Sequence, residues 1–195
     1  MRKLHRKKLL LVVLGVIAIS VMLRAAEKEV TRMRARLDGI HETNPSTIIT
    51  KGTGTLTATL NDDSSITYTL TYKNLSTPVT QAHIHIGATK ITGGISIFFC
   101  ANPPIVGPPG TPLCPNDSTN SGTVTHTVTA ADVVGPAAQG VAVGDFADVV
   151  RAIASGVAYA NVHTTAHPAG EIRGQIRSTE DEDDELPGAD VHHHD

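Results

Sequence analysis

The chain has 195 residues, of which 40% are hydrophobic and 3% aromatic, with no Trp and a formal net charge of −3. Residues 25–179 carry 10 basic and 11 acidic side chains, and that balance excludes a nucleic-acid binder, which needs a basic face. The core has to be built from Val, Ile, Leu and Ala, while frequent Thr, Gly and Pro favour strands joined by turns over helices.

The N-terminus reads as an export signal. Arg2, Lys3, Arg6, Lys7 and Lys8 precede an apolar run from Leu9 to Leu23. As a helix that run spans roughly 22 Å, short of a bilayer core of about 30 Å, which suits a signal peptide. Ala18-Ile19-Ser20 offers small residues at cleavage spacing. The alternative is a retained anchor, so membrane contact is expected only through this segment if it stays uncleaved. Residues 1–26 are therefore assigned to the signal or anchor, 27–178 to one domain and 179–195 to a tail. The product is expected to be secreted or extracytoplasmic.

Within the domain, alternation over Val30–Leu37 predicts a first strand. In GTGTLTATL, Gly54, Leu56, Ala58 and Leu60 face one way and the threonines the other. ITYTLTYK repeats this after the turn Asn61–Ser64, which makes a hairpin with one wet, Thr-rich face. Strands follow at 80–86, 94–99 and 121–128. Thr129 and Asp132 mark a helix start, and Gly144-Asp145 opens a second short helix over 146–154, ended by Gly156. Segments 157–164 and 170–177 close the domain as two strands. About seven short strands with turns between them read as an all-β sandwich or barrel with one or two short helices. The tail, acidic from Glu180 to Asp195, has no apolar face and is expected to be disordered. His192–His194 within it carries no functional weight.

Cys100 and Cys114 are the only cysteines, and an even count in an exported chain points to a disulfide. The enclosed ANPPIVGPPGTPL has little regular structure of its own, so a staple makes physical sense there. No Gly-rich phosphate loop and no nucleophile-elbow context occur.

Three segments, in order, carry a resemblance. RARLDGIHETNP (34–45) holds Leu37-Asp38-Gly39, Glu42 and Pro45. SITYTLTYKNLSTPVTQAHIHIG (65–87) ends in Ala-His-Ile-His-x-Gly. GVAYANVHTTAHPAGEIRGQI (156–176) holds a Tyr, Asn-x-His-Thr and Pro-x-Gly-Glu-Ile-Arg-Gly-Gln. Together they resemble the CHRD (chordin) domain over about residues 33–177. The resemblance implies an exported module with an immunoglobulin-like antiparallel sandwich, similar in part to copper–zinc superoxide dismutase. It implies no established catalytic residues. The chain departs from the pattern at His126, where a small residue is common, and in its long cysteine loop.

His83 and His85 stand at i and i+2 and so project from one face of a strand. Asn161 and His163 share a face with Tyr159 in a later strand. If those strands pair, His83, His85 and His163 converge, with His167 and His126 as further candidates. Three imidazoles suit copper or zinc. Glu171 and Asn161 are candidates to orient the ligands. The alternative gives these histidines a structural role, bonded to carbonyls or to Glu171. Two functions follow: a non-enzymatic extracellular module whose partner is a protein or a metal ion, or a copper/zinc redox enzyme of superoxide-dismutase-like type.

Overall fold

The computed structural model describes residues 31–62 and 64–179. The apolar N-terminal run and the acidic tail with His192–His194 lie outside the described residues. The strands are β1 (Arg32–Asp38), β2 (Thr53–Leu60), β3 (Ile66–Lys73), β4 (Val79–Ile86), β5 (Gly94–Ala101), β6 (Gly122–Val128), β7 (Ala158–Thr164), β8 (Ile172–Gln175) and β9 (Arg177–Ser178). Between β6 and β7 lie two 3₁₀ turns, Ala130–Asp132 and Ala137–Gln139, and one helix, α1 (Phe146–Ala154). Among the described residues no helix is long and apolar enough to cross a membrane.

The strands form one antiparallel path, β5-β4-β7-β8-β1-β2-β3-β6, with β9 beside β1. It folds over into two layers at β8–β1, where Asp38 opposite Arg173 is the register pair that joins them. The far ends return towards each other. Tyr68 of β3 packs its ring 4.7 Å from that of Phe99 in β5 and donates its hydroxyl to the Phe99 carbonyl at 2.5 Å. Ile97 also forms a bridge to Val133, beyond β6. The result is an all-β sandwich whose sheet is nearly a closed barrel, a form that protects strand edges.

The alternating pattern has the expected consequence. Met33, Ala35 and Leu37 are buried while Arg32, Arg34 and Arg36 are exposed. Leu56, Tyr68 and Leu70 meet Ile84, Ile97, Val162 and Ile172 in the core between the layers. On the wet side the threonines pair across strands: Thr67 with Thr127, Thr69 with Thr125 and Thr71 with Thr123, hydroxyl to hydroxyl at 2.9–3.0 Å. Helix α1 is capped by Asp145, whose carboxylate accepts the Asp148 N–H at 3.1 Å. It buries Phe146, Val149, Ala152 and Ile153.

The closing segment differs from the sequence expectation. Residues 170–177 do not form one unbroken strand: β8 pairs with β7 and, at Arg173, with β1, and β9 resumes the β1 pairing in the same register after Ile176. Ile176 is still bonded on the β7 side, its N–H donating to the Ala158 carbonyl at 2.9 Å, and the chain returns to β1 at Arg177. Gly174 permits the close approach of β8 to β1, because a Cβ at that position would overlap the Arg36 carbonyl of β1. Gly174→Ala is therefore expected to destabilise the domain by about 2–4 kcal/mol, as other overpacked buried sites do or somewhat more. A urea midpoint equal to wild type would show that the corner has slack.

Cys100 and Cys114 form a disulfide with Cα atoms 5.0 Å apart, and both residues are buried. Asn102 ties the same loop by donating to the carbonyls of Val79 and Cys114, each at 2.9 Å. Replacing both cysteines by Ala is expected to cost roughly 3 kcal/mol, the loop-closure value for a ring of this size. Unchanged thermal stability under oxidising conditions would show that the bonds of Asn102 and Asn116 hold the loop without the disulfide.

Candidate metal centre

Strand β4 lies between β5 and β7, so both of its edges are paired, and Ala82 to Ile86 are all buried, so both of its faces are covered as well. Ala82, Ile84 and Ile86 face the core. His83 and His85 take the opposite face. The β4–β7 register sets Gln81 opposite His163, His83 opposite Asn161 and His85 opposite Tyr159, which leaves His163 diagonal to His83. Pairing of β4 with β5 is irregular on both sides of His83, between Ala82 and His83 and between Ile84 and His85. Such bulges re-aim side chains and concentrate next to functional sites.

The three rings converge as the strand spacing predicts. One nitrogen from each of His83, His85 and His163 lies within 4.8 Å of the others, and His83 Nδ1 is 3.1 Å from His163 Nε2. Two nitrogens bound to one ion at about 2.0–2.1 Å are separated by at most about 4 Å, so His83 and His163 already stand within sharing distance, and an ion held by those two atoms would displace the proton between them. The relative exposures are 0%, 7% and 5% for His83, His85 and His163. The site is thus enclosed by protein.

Backbone carbonyls fix the tautomers. A carbonyl only accepts, so His85 donates from Nδ1 to Gly93 at 3.0 Å and His163 donates from Nδ1 to Pro168 at 3.1 Å. Nε2 then carries the lone pair in both rings. That of His163 accepts from His83 Nδ1, and the Nε2 atoms of His83 and His85 are buried without any partner. Ser96 Oγ, on the neighbouring β5, is the third such buried atom among the described residues. Buried polar atoms are normally satisfied, and orphaned imidazole lone pairs on a shared face are a donor set without its acceptor.

Burial also removes the charge. Desolvation, with the neighbouring rings, pushes His83 down to about 2 from its ordinary 6.5. Desolvation dominates likewise for His85 and His163, each lowered to about 4. All three are neutral at pH 7, the form that binds metals.

The surroundings are aromatic and fully bonded. Phe98 meets the His83 ring edge-on at 4.3 Å. Tyr159 stacks on His85 at 4.8 Å with planes 5° apart, and the Arg173 guanidinium lies 3.5 Å from the Tyr159 ring centre. Arg173 is itself buried and donates to Thr43 Oγ1 and to the carbonyls of Ala88 and Ile91 at 2.8–3.1 Å. Bonding of the rings to carbonyls is one of the two expectations from the sequence, but which carbonyls is not legible there because Gly93 and Pro168 lie in loops, and the Phe98 contact follows from the β4–β5 register.

Other expected residues lie elsewhere or serve otherwise. His126 sits on β6 with its ring 6.4 Å from that of Tyr68, at the opposite end of the sheet path from β4. His167 lies in the turn after β7, where its carbonyl accepts from Thr164 and Gly170. Neither belongs to the converging group. Glu171 does not orient His163: its carboxylate accepts from Thr50, from Ser76 twice and from Thr164 at 2.7–2.9 Å. Burial raises the Glu171 pKa and these bonds lower it, with a net shift downward. Asn161 donates to Glu42 at 2.6 Å and to the Ile172 carbonyl at 2.9 Å rather than to a ring. Both brace the loops over the histidines.

Acid should unfold the metal-free domain in a defined window. Above pH 6.5 the rings are neutral in both states, so they add no pH dependence. Below it the unfolded chain takes up protons that the folded rings refuse, down to about pH 4 for His85 and His163 and lower for His83. Stability is expected to fall by up to ~1.4 kcal/mol per pH unit for each histidine. Urea midpoints at pH 7.5, 6.5, 5.5 and 4.5 measure this, and a flat profile across that range would contradict the buried neutral rings.

A family model described as the CHRD domain matches residues 33–176. No curated protein and no solved structure matches the chain. The matched stretch contains every strand residue from Met33 to Gln175 and all three converging histidines, and on that match the chain belongs to the CHRD domain family.

Proposed function

We propose that this CHRD domain is an exported, non-enzymatic module that binds one copper or zinc ion through His83, His85 and His163. The observation that carries the reading is the convergence of three buried neutral imidazoles, two of them with unpartnered Nε2 atoms. When bound, the ion would supply the acceptor that those lone pairs lack. Membership of the family and the Cys100–Cys114 disulfide fit a module working in an oxidising, extracellular compartment. An extracellular protein partner is compatible with the same role, with the ion as a structural or delivered component.

Burial favours binding over turnover. A redox enzyme needs an open coordination position and a route for substrate, whereas the three rings here are almost fully covered and Arg173 is committed to the loops rather than to steering charge. The superoxide-dismutase-like alternative is therefore the weaker reading.

Titration of the purified chain with copper and with zinc tests the proposal, using a chain with His192, His193 and His194 replaced by Ala to remove tail binding. One equivalent is expected to bind below micromolar concentration, and His83→Gln should weaken it at least about 100-fold. Absence of binding at micromolar metal would make the histidines structural.

A further inference from the structure

The ligand set says more than that a metal binds. This step rests on the metal-binding reading above and asks which ion the site takes. We infer that it selects monovalent copper over divalent ions such as zinc.

The donors are three neutral nitrogens, and no carboxylate or thiolate joins them. The nearby acids are already occupied. Glu42 accepts from the N–H groups of Thr43 and Asn44 and from Asn161 Nδ2, and Glu171 accepts from Thr50, Ser76 and Thr164. Recruiting either one would break buried bonds. Tyr159 presents its ring to His85 and uses its hydroxyl to accept from the Gly93 N–H at 3.1 Å. The fixed charges around the site are the Arg173 cation behind Tyr159, which lowers the His85 pKa, and the Glu42 and Glu171 anions, whose oxygens are turned to other donors so that neither is a ligand to an incoming ion.

An ion entering such a site keeps its full charge. The cost of taking an ion out of water rises with the square of its charge, so a divalent ion suffers about four times the penalty of a monovalent one of similar size. Structural zinc also takes four donors and gains from anionic ones. Here the site supplies three nitrogens, and its remaining walls include the hydrocarbon edge of Phe98 and the stacked face of Tyr159. Imidazole suits copper and zinc alike, so the discrimination rests on charge and coordination number, and monovalent copper carries the lower charge and is satisfied by two or three donors. Charge, donor count and burial all point to the same ion.

The test compares two metals on one protein, the full chain carrying His192→Ala, His193→Ala and His194→Ala, at pH 7. Copper(I) affinity is read anaerobically by competition with bicinchoninate, and zinc affinity by competition with a chromophoric chelator. The expected result is one copper(I) per chain, bound about 1,000-fold or more tightly than zinc, with both lost in His83→Gln. Phe98→Glu is the second variant. Phe98 is only half-buried and touches His83, so a carboxylate there supplies the missing anion and should narrow the gap by about tenfold or more. Zinc binding as tightly as copper(I), or a gap unmoved by Phe98→Glu, would overturn the inference while leaving the metal site standing. Failure of both ions to bind would overturn both.

Discussion

The ladder between β4 and β7 is the constraint on which the rest depends. Its core face is Ala82, Ile84 and Ile86 against Ala158, Ala160 and Val162, all buried. A strand has a side-chain period of two, so a one-residue slip would drive His83 and His85 into the hydrophobic core and expel the isoleucines. The apolar face thus fixes the register, and the register fixes which rings meet. The site needs no folding energy of its own to be assembled, because it is the reverse side of a ladder that the core already holds.

The cost lies in covering that reverse side. Three imidazoles under loops lose their hydration, and two of their nitrogens regain nothing within the protein. The roof is held by a buried polar frame with well-satisfied members. Glu171 gathers Thr50, Ser76 and Thr164, Glu42 gathers the 42–44 turn and Asn161, and Arg173 spans from Thr43 to the 88–91 loop. Such networks make a unique arrangement out of loops that have little apolar surface to bury. A bound ion would satisfy the one part of this layer that the frame leaves open.

Much of the fold was legible because strand periodicity survives wherever one face meets water. The Thr-x-Thr runs of β2, β3 and β6 declared both their strands and their inward residues. His83, His85 and His163 could be placed on shared faces by the same counting. What escaped was whatever depends on contacts distant in sequence. Glu171 sits two residues from Arg173 and eight from His163, yet its partners are Thr50 and Ser76, which no local pattern connects to it. His126 shares its type with the ligands but takes the core-side face of β6 with Val124 and Val128, whereas the three ligands take the face of β4 and β7 away from the core. The break at Ile176 was invisible because it interrupts the ladder without changing the alternation or the register against β1.

The central claim is that these three rings, rather than any others in the chain, act together on one ion. Long-range ¹H–¹⁵N spectra of the histidine rings test it most directly. Before metal, His85 and His163 should show the Nδ1–H tautomer, as their bonds to Gly93 and Pro168 require. On addition of one equivalent of copper(I), the ring nitrogens of His83, His85 and His163 should shift together while those of His126 and His167 stay in place. Shifts confined to His192–His194, or unchanged rings throughout β4 and β7, would contradict the account.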